Sequence, residues 1–115
     1  MVAHLDQWTI GTNPKELSSS RSRIFTATEN RELMLAANEI LSNGIEHSGQ
    51  EQHVAISKNQ HSFTLTISGS GTKRGMHMRP SGERGRGLQL VQALVDRLIT
   101  TSTGGILINT LVVYR

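Results

Sequence analysis

The sequence predicts a small α/β domain that combines a few helices with one sheet. Residues 30–47 place apolar side chains at the spacing of one helix face, and residues 62–68 alternate apolar and polar side chains as a half-buried strand does. Residues 106–113 are nearly all apolar, which is typical of a well-buried strand. A chain of 115 residues has room for one core, so we expect a single domain over residues 1–115.

The first half of the chain is predicted to hold strand 4–11, helix 15–26 and the main helix, 30–47. Asn13 is placed to cap the weaker first helix, with Pro14 at its first helical position. Thr28 or Asn30 is placed to cap the main helix, and Gly49 suits a left-handed position at its end.

The second half is predicted to hold strands 52–57 and 62–68, a hairpin turn between them at 58–61, a loop over 69–87, helix 87–99 and the final strand, 106–113. The loop contains six of the eleven glycines in the chain. A loop of that length in a small domain is commonly functional.

The positive charge is concentrated in the same glycine-rich segment. The net charge is +3, and five of the twelve lysines and arginines lie between residues 69 and 87. The chain has two Phe, one Tyr and one Trp, too few for an evident ladder of base-stacking aromatics. Local phosphate binding therefore explains the cluster better than a nucleic-acid footprint, and we expect no direct nucleic-acid partner.

The sequence also indicates where in the cell the protein is expected. The chain has no cysteine, which excludes disulfides and thiolate chemistry. No apolar run approaches the roughly 18 residues of a membrane span, and the first residues lack the basic and apolar regions of a signal peptide. We expect a cytoplasmic protein with no membrane association.

The main helix carries a polar row beside its apolar face. Glu39, Asn43 and His47 are spaced four residues apart, which places them along one stripe of a helix. The neighbouring apolar stripe consists of Leu33, Ala37, Ile40, Leu41, Gly44 and Ile45. The pattern predicts a helix that presents a base and a metal ligand at the edge of the core. Asn is a poor helix former, so its mid-helix position favours a functional role.

A second motif, Gly85-Arg86-Gly87-Leu88, is predicted to open the helix over 87–99. Backbone N–H groups at a helix N-terminus form an anion site, and glycines let a phosphate approach the backbone closely. Arg84 and Arg86 add cationic donors.

These two motifs, followed by Gly104-Gly105 before the last strand, resemble the histidine-kinase-like ATPase superfamily. The resemblance covers about residues 14–113, and the segments 35–47 and 85–98 are close to the pattern of the bacterial anti-sigma factor and serine-kinase branch. It implies an α+β sandwich, with a mixed, mostly antiparallel sheet and helices packed on one face.

The resemblance also implies ATP and Mg²⁺ as cofactors. Glu39 would polarise the hydroxyl or water that attacks the γ-phosphate, and Asn43 would be the protein ligand of the metal. The predicted nucleotide-binding residues are Asn43, His47, Ser68, Gly69, Gly71, Arg84, Gly85, Arg86, Gly87 and Leu88.

The function that this resemblance implies is a serine/threonine protein kinase of a partner-switching pathway. Its substrate would be an anti-sigma-factor-antagonist-like protein, and it would also hold a sigma factor or another effector. The family further implies a homodimer.

One position departs from the family pattern and leaves an alternative open. The family usually carries Asp-x-Gly-x-Gly at the end of the middle strand, where the Asp accepts the adenine amino group. Here Gly69 and Gly71 fit, but the Asp position falls on Ile67, or on Ser68 with a shift of one residue. Two further positions differ from the family pattern: Gln89 stands where a glycine is common, and Ile106 stands where a Thr often follows the last glycine. The alternative is a non-catalytic protein-binding module of the same fold, with weak or lost nucleotide binding.

Overall fold

The computed structural model describes residues 1–70 and 82–115, and for His47, Ser48 and residues 82–86 it describes the backbone alone. Over these residues the chain forms, in order, β1 (Ala3–Ile10), α1 (Lys15–Thr28), α2 (Arg31–Ser48), β2 (Gln52–Lys58), β3 (Ser62–Ser70), α3 (Gly82–Leu94), β4 (Arg97–Thr103) and β5 (Ile106–Tyr114).

The strands form one sheet in the order β1-β2-β3-β5-β4. All four pairings among the described strands are antiparallel, so the sheet shows no parallel pair there. Directly paired residues share a face of the sheet, and one face carries the buried side chains against the helices. The predicted sandwich, with helices on one face, is confirmed.

The main helix, α2, packs its predicted apolar stripe onto this face. Leu33, Ala37, Ile40 and Leu41 are at most 5% exposed. They join one cluster with sheet residues such as Val54, Ile56, Leu65, Ile67, Leu111 and Val113. Burial of this stripe fixes the height and direction of α2 over β2, β3 and β5.

Both ends of α2 are set by local chemistry that the sequence predicts. Asn30 is the cap: its backbone is extended, and its side-chain oxygen accepts a 2.8 Å hydrogen bond from the Leu33 N–H. Gly49 ends the helix in the left-handed region, at φ 63°. Thr28 instead ends α1, where its hydroxyl donates to the carbonyl of Ile24.

The start of α1 follows the prediction only in part, because the helix begins at Lys15 and Pro14 is its N-cap, with no side-chain capping hydrogen bond. Pro14 has helical dihedral angles, φ −56° and ψ −22°. The side-chain oxygen of Asn13 accepts a 3.0 Å hydrogen bond from the Lys15 N–H. The helix runs two residues further than predicted, to Thr28.

The third helix and the strand after it differ from the prediction. The helix spans Gly82–Leu94 rather than 87–99, and residues 97–103 form β4, which the sequence reading missed. Asp96 explains the early end, because its N–H donates to the carbonyl of Val112 and its carboxylate accepts from the Tyr114 N–H. The chain thus joins the sheet edge, where the β-branched run after Leu98 suits a strand.

The prediction of a loop over 69–87 is wrong at both of its ends. Its first two residues belong to β3 and its last six to α3, and the part over 71–81 lies outside the described residues. None of the helices in the described part of the chain combines the length and hydropathy needed to cross a bilayer.

A polar clamp ties α1 to the edge strand β1. Arg23 makes two hydrogen bonds to the carboxylate of Asp6, at 2.9 and 2.6 Å, and its guanidinium lies 4.3 Å from the centroid of the Trp8 ring. The Trp8 ring N–H donates to the hydroxyl of the buried Ser20. The hydrogen bond from Arg23 is the main reason that the pKa of Asp6 lies below its ordinary value of 3.8.

This lowered pKa predicts an acid-dependent stability. The ion pair stabilises the fold at pH values above the unfolded-state pKa of Asp6, and this contribution is lost as the pH falls through the folded-state pKa. Because both side chains are partly exposed to solvent, we expect Asp6→Asn to cost at most about 1 kcal/mol near neutral pH. Urea unfolding of both proteins across pH 2.5–7 should show this difference shrinking below about pH 4. An equal difference for Glu51→Gln, at an exposed carboxylate, would contradict the assignment.

Loss of the Asn30 cap should destabilise α2. Asn30→Ala removes the acceptor for the Leu33 N–H, and we expect a loss of about 1 kcal/mol in the free energy of unfolding. Asn30→Asp, which keeps an acceptor oxygen, should stay close to the wild type. Denaturant unfolding of the three proteins measures both values, and an equal loss in both variants would rule out the cap.

Candidate functional site

The polar stripe of α2 lies at the edge of the core, as its spacing predicts. Glu39 and Asn43 are both partly buried, one helical turn apart, and the helix continues to Ser48. The side chain of His47 lies outside the described residues, so its predicted role at the pocket edge stays a prediction. The structure therefore brings together the proposed base and the proposed metal ligand on one face of a well-anchored helix.

On its other side α2 is held against α1. Nη1 of Arg21 donates a 3.0 Å hydrogen bond to the side-chain oxygen of Asn38, the residue before Glu39. The hydroxyl of Ser42 donates to the carbonyl of Glu39 within the same helix. These contacts, with the buried apolar stripe, restrict how far the Glu39 and Asn43 side chains can be displaced.

Next to Asn43, α2 meets the ends of β2 and β3 through two glycines and one glutamine. A Cβ atom added to Gly44 would lie 2.8 Å from Oε1 of Gln52, and one added to Gly69 would lie 2.7 Å from the same oxygen. Gln52 is 2% exposed, and its Nε2 donates a 3.3 Å hydrogen bond to the carbonyl of Gln50. Its carboxamide thus occupies the space that both glycines leave empty.

Strand register explains this arrangement. Gln52 begins β2 directly opposite Gly69 of β3, so both residues point to the helix-covered face. Gly69 contributes no side chain there, which makes room for the Gln52 head under Gly44. The sequence reading assigned Gly69 to the site and left Gln52 out. The alternation of side chains along β2 could have predicted the position of Gln52. Gln52 stands two residues before the apolar Val54, so both side chains lie on the same, inward face.

At the end of β3, the two residues that could stand at the position of the family's Asp lie on opposite faces of the sheet. Ile67 is 1% exposed and belongs to the core cluster. Ser68 lies on the opposite face of the sheet, between His53 and Ile108. Since side chains alternate along a strand, Ser68 is not brought together with Glu39 and Asn43. Gly71, the last predicted residue of this motif, lies outside the described residues.

A further polar pair stands beside Ile67 on the helix-covered face. Asn109 of β5 is directly opposite Ile67 and is partly buried. Its side-chain oxygen accepts a 2.7 Å hydrogen bond from the hydroxyl of Thr100 on β4. The sequence reading missed this pair because it did not identify β4.

The glycine motif before Leu88 lies inside α3 and does not precede it. The helix begins at Gly82, so Arg84, Gly85, Arg86 and Gly87 all fall within its first two turns, and the prediction that they open the helix is wrong. Gly85 still belongs to the first four residues, whose N–H groups lack an intrahelical acceptor. Gly87 is buried and Leu88 partly buried, in a helix that packs against α2.

Metal binding by protein groups alone is not supported in the described part of the chain. No three His, Asp or Glu side chains come together there in a metal-holding group. A cation at Asn43 would therefore take most of its oxygen ligands from a bound substrate and from water, which is the usual way in which Mg²⁺ is held.

Comparison with known families finds a match over most of the chain. The model of the family described as histidine kinase-like ATPase domain matches residues 14–112. A comparison with curated proteins finds no significant match.

The contact between Gln52 and the two glycines predicts an energetic coupling. Gly69→Ala places a methyl group within 3 Å of the buried carboxamide, and such overpacking costs about 1–3 kcal/mol. In a Gln52→Ala background the obstructing atoms are absent, and most of that cost should disappear. Urea unfolding of the two single variants and the double variant gives the coupling energy. Additive effects would show that the Gln52 head does not fill this space.

Proposed function

The chain belongs to the histidine kinase-like ATPase family, whose domains are ATP-binding, and on that premise we propose that it is a serine/threonine protein kinase. It binds Mg-ATP and transfers the γ-phosphoryl group to a serine or threonine of a small antagonist protein. In this proposal the domain works as an anti-sigma-factor-type regulator in the cytoplasm, where ATP is supplied. It forms a homodimer and also holds a sigma factor or another effector.

The observation that carries the proposal is the placement of Glu39 and Asn43. Both are partly buried on one stripe of α2, beside the point where Gly44 approaches β2 and β3. A carboxylate and an amide held one turn apart at the edge of a core are the groups that a phosphoryl-transfer site requires.

The residues present fit a magnesium nucleotide. The Asn43 side-chain oxygen suits Mg²⁺, which prefers oxygen ligands and keeps several waters. The first turn of α3 offers backbone N–H groups for phosphate, with the glycine at position 85 allowing close approach. When bound, Mg-ATP supplies the transferred phosphoryl group, and the metal neutralises part of its charge.

Glu39 would act on the protein substrate. Its carboxylate would accept a hydrogen bond from the attacking hydroxyl and take its proton, while the γ-phosphoryl group passes to that oxygen and ADP leaves with the bridging oxygen. The packing of Leu33, Ala37 and Ile40 and the Asn30 cap hold α2, which keeps the carboxylate in place during the reaction. Positioning of this kind supplies most of phosphoryl-transfer catalysis.

A second function is favoured by one observation. The position of the expected adenine-binding Asp is taken by Ile67, which is buried in the core and can accept no hydrogen bond. This supports a non-catalytic module that binds an antagonist-type partner with weak or no nucleotide binding. The retention of both Glu39 and Asn43 opposes it, because a module without nucleotide chemistry has no need of either group.

Calorimetric titration with ATP and ADP, with and without Mg²⁺, separates the two functions. We expect Mg²⁺-dependent binding by the wild type and its loss in Asn43→Ala, because the variant lacks the metal-ligand oxygen. Glu32→Ala, at an exposed position in the first turn of the same helix, serves as the control and should bind as the wild type does. No binding by the wild type at millimolar nucleotide would overturn the kinase proposal and leave the protein-binding module.

Replacement of the proposed base should separate binding from chemistry. Glu39→Gln should keep its affinity for Mg-ATP but lose about 10²–10⁴-fold in the rate of phosphoryl transfer to an antagonist protein. Glu32→Gln removes an exposed carboxylate from the first turn of the same helix and should leave the rate unchanged. Equal rates for Glu39→Gln and the wild type would exclude Glu39 as the base.

A further inference from the structure

The sheet has a second face, on which no helix of the described part of the chain packs. Ile24 of α1, Leu33 of α2 and Val91 of α3 all belong to the core cluster on the first face. Side chains alternate along each strand, and the residues between the buried positions of β3 and β5 are partly exposed. These alternate residues form the open face.

The chemistry of the open face changes across the sheet. On β1, β2 and β3 it is mostly polar, with Gln7, Thr9, His53, Ser57, Thr64, Thr66 and Ser68. On β4 and β5 it carries an apolar band, which consists of Ile99, Ile106, Ile108, Val112 and Tyr114. Ile99 stands opposite Thr110 and therefore diagonal to Ile108 and Val112, so the band is continuous. Ile99, Ile106 and Tyr114 are 39%, 41% and 58% exposed.

The pattern of β5 fits a strand that is covered on both sides. Its inward residues Leu107, Leu111 and Val113 are buried, and its outward residues include the apolar band. A strand that is apolar in both directions is typical of burial on both faces. The described part of one chain covers only the inward side, so the outward side is an apolar patch of the kind that marks an interaction surface.

The open face is also depleted in charge. Charged residues make up 18% of the chain. Among the described strand residues that point to the open face, Arg97 is the one that carries a formal charge. Depletion of charge is characteristic of the buried centre of protein–protein interfaces. It also means that two copies of this face can meet with little electrostatic repulsion.

The size of the face suits a pair of sheets. The five strands are seven to nine residues long, and with strands ~4.8 Å apart the face covers roughly 600 Å². Two such faces together bury about 1,200 Å², the area at which specific, stable interfaces begin. A two-fold axis brings the same patch of both copies together, so that the apolar band is covered by its own counterpart.

We infer that the open face is where a second copy of this chain binds, with the apolar bands of the two sheets packed face to face. This interface rests on the homodimer in the proposed function and specifies how that homodimer is built. The α2 helices lie on the far side of each sheet, so the polar stripes of Glu39 and Asn43 point away from the dimer axis and stay accessible to ligand.

The test is sedimentation equilibrium of the wild type, Ile99→Lys and Ile106→Lys. We expect a wild-type dimer and a dissociation constant raised roughly tenfold or more in each variant, because a buried ammonium would face an apolar surface. Leu90→Lys, the same type of change at an exposed apolar residue of α3, should remain as dimeric as the wild type. Both band positions are exposed in one chain, and thermal melts check the fold; Ile106→Lys keeps the test decisive if Ile99→Lys does not fold.

Cross-linking locates the interface directly, because the chain has no cysteine of its own. Thr110→Cys, in the middle of the open face, should be joined into a dimer by a bismaleimide reagent. Ser22→Cys, at an exposed position of α1, should not. A wild-type dimer that survives both lysine substitutions, or cross-linking of Ser22→Cys alone, would show that another surface pairs.

The remaining outcomes separate this interface from the proposed kinase function. A wild type that stays monomeric at all concentrations would overturn the interface and the homodimer together, whereas the calorimetric titration with Mg-ATP decides nucleotide binding independently. If the wild type is monomeric and Ile99→Lys instead weakens binding of the antagonist protein, the open face holds that partner, and the inference of a second copy is wrong.

Discussion

The packing of α2 onto the sheet is the constraint on which the rest of the structure depends. Its apolar stripe is buried along its length, its first turn is capped by Asn30, and its end is fixed by Gly49 in the left-handed region. A helix held in this way has one orientation about its axis. This orientation places Glu39 and Asn43 at the edge of the core. Their partial burial there would strengthen their electrostatic interactions with a charged ligand.

The close approach of α2 to the sheet at Gly44 has a chemical consequence. Two positions without side chains leave a space that the Gln52 carboxamide fills. Gln52 is 2% exposed, so this contact ties the residue after Asn43 to the register between β2 and β3. A side chain added at either glycine would displace the Gln52 head or move α2 next to the proposed metal ligand.

Sequence reasoning was most successful where a periodic pattern and a local cap point to the same element. The stripe of Leu33, Ala37 and Ile40 and the cap at Asn30 fix α2 to within a residue or two. The reading failed at residues 95–103, because apolar Leu98 and Ile99 continue a helical spacing that the tertiary contacts of Asp96 interrupt. These contacts join residues that are distant in the sequence, so the helix or strand propensity of residues 95–103 does not reveal them.

The candidate site was predictable in part for the same reason. Glu39 and Asn43 share a helix, so their spacing alone places them together. Gln52 and Gly69 are separated by 17 residues, and only the register between β2 and β3 brings them face to face. Ser68 was misplaced for a related reason, since a shift of one residue moves a strand side chain to the other face of the sheet.

The most direct measurement is a titration of the isotope-labelled chain with Mg-ATP, followed by nuclear magnetic resonance. We expect saturable shifts of the amide signals of Asn43, Gly44 and Gly69 and of the side-chain amide of Gln52. The signals of the hairpin turn at Asn59–His61, at the other end of the sheet, should remain in place. Shifts that avoid α2 and the end of β3, or no saturable shift at all, would contradict a nucleotide site built on the polar stripe of α2.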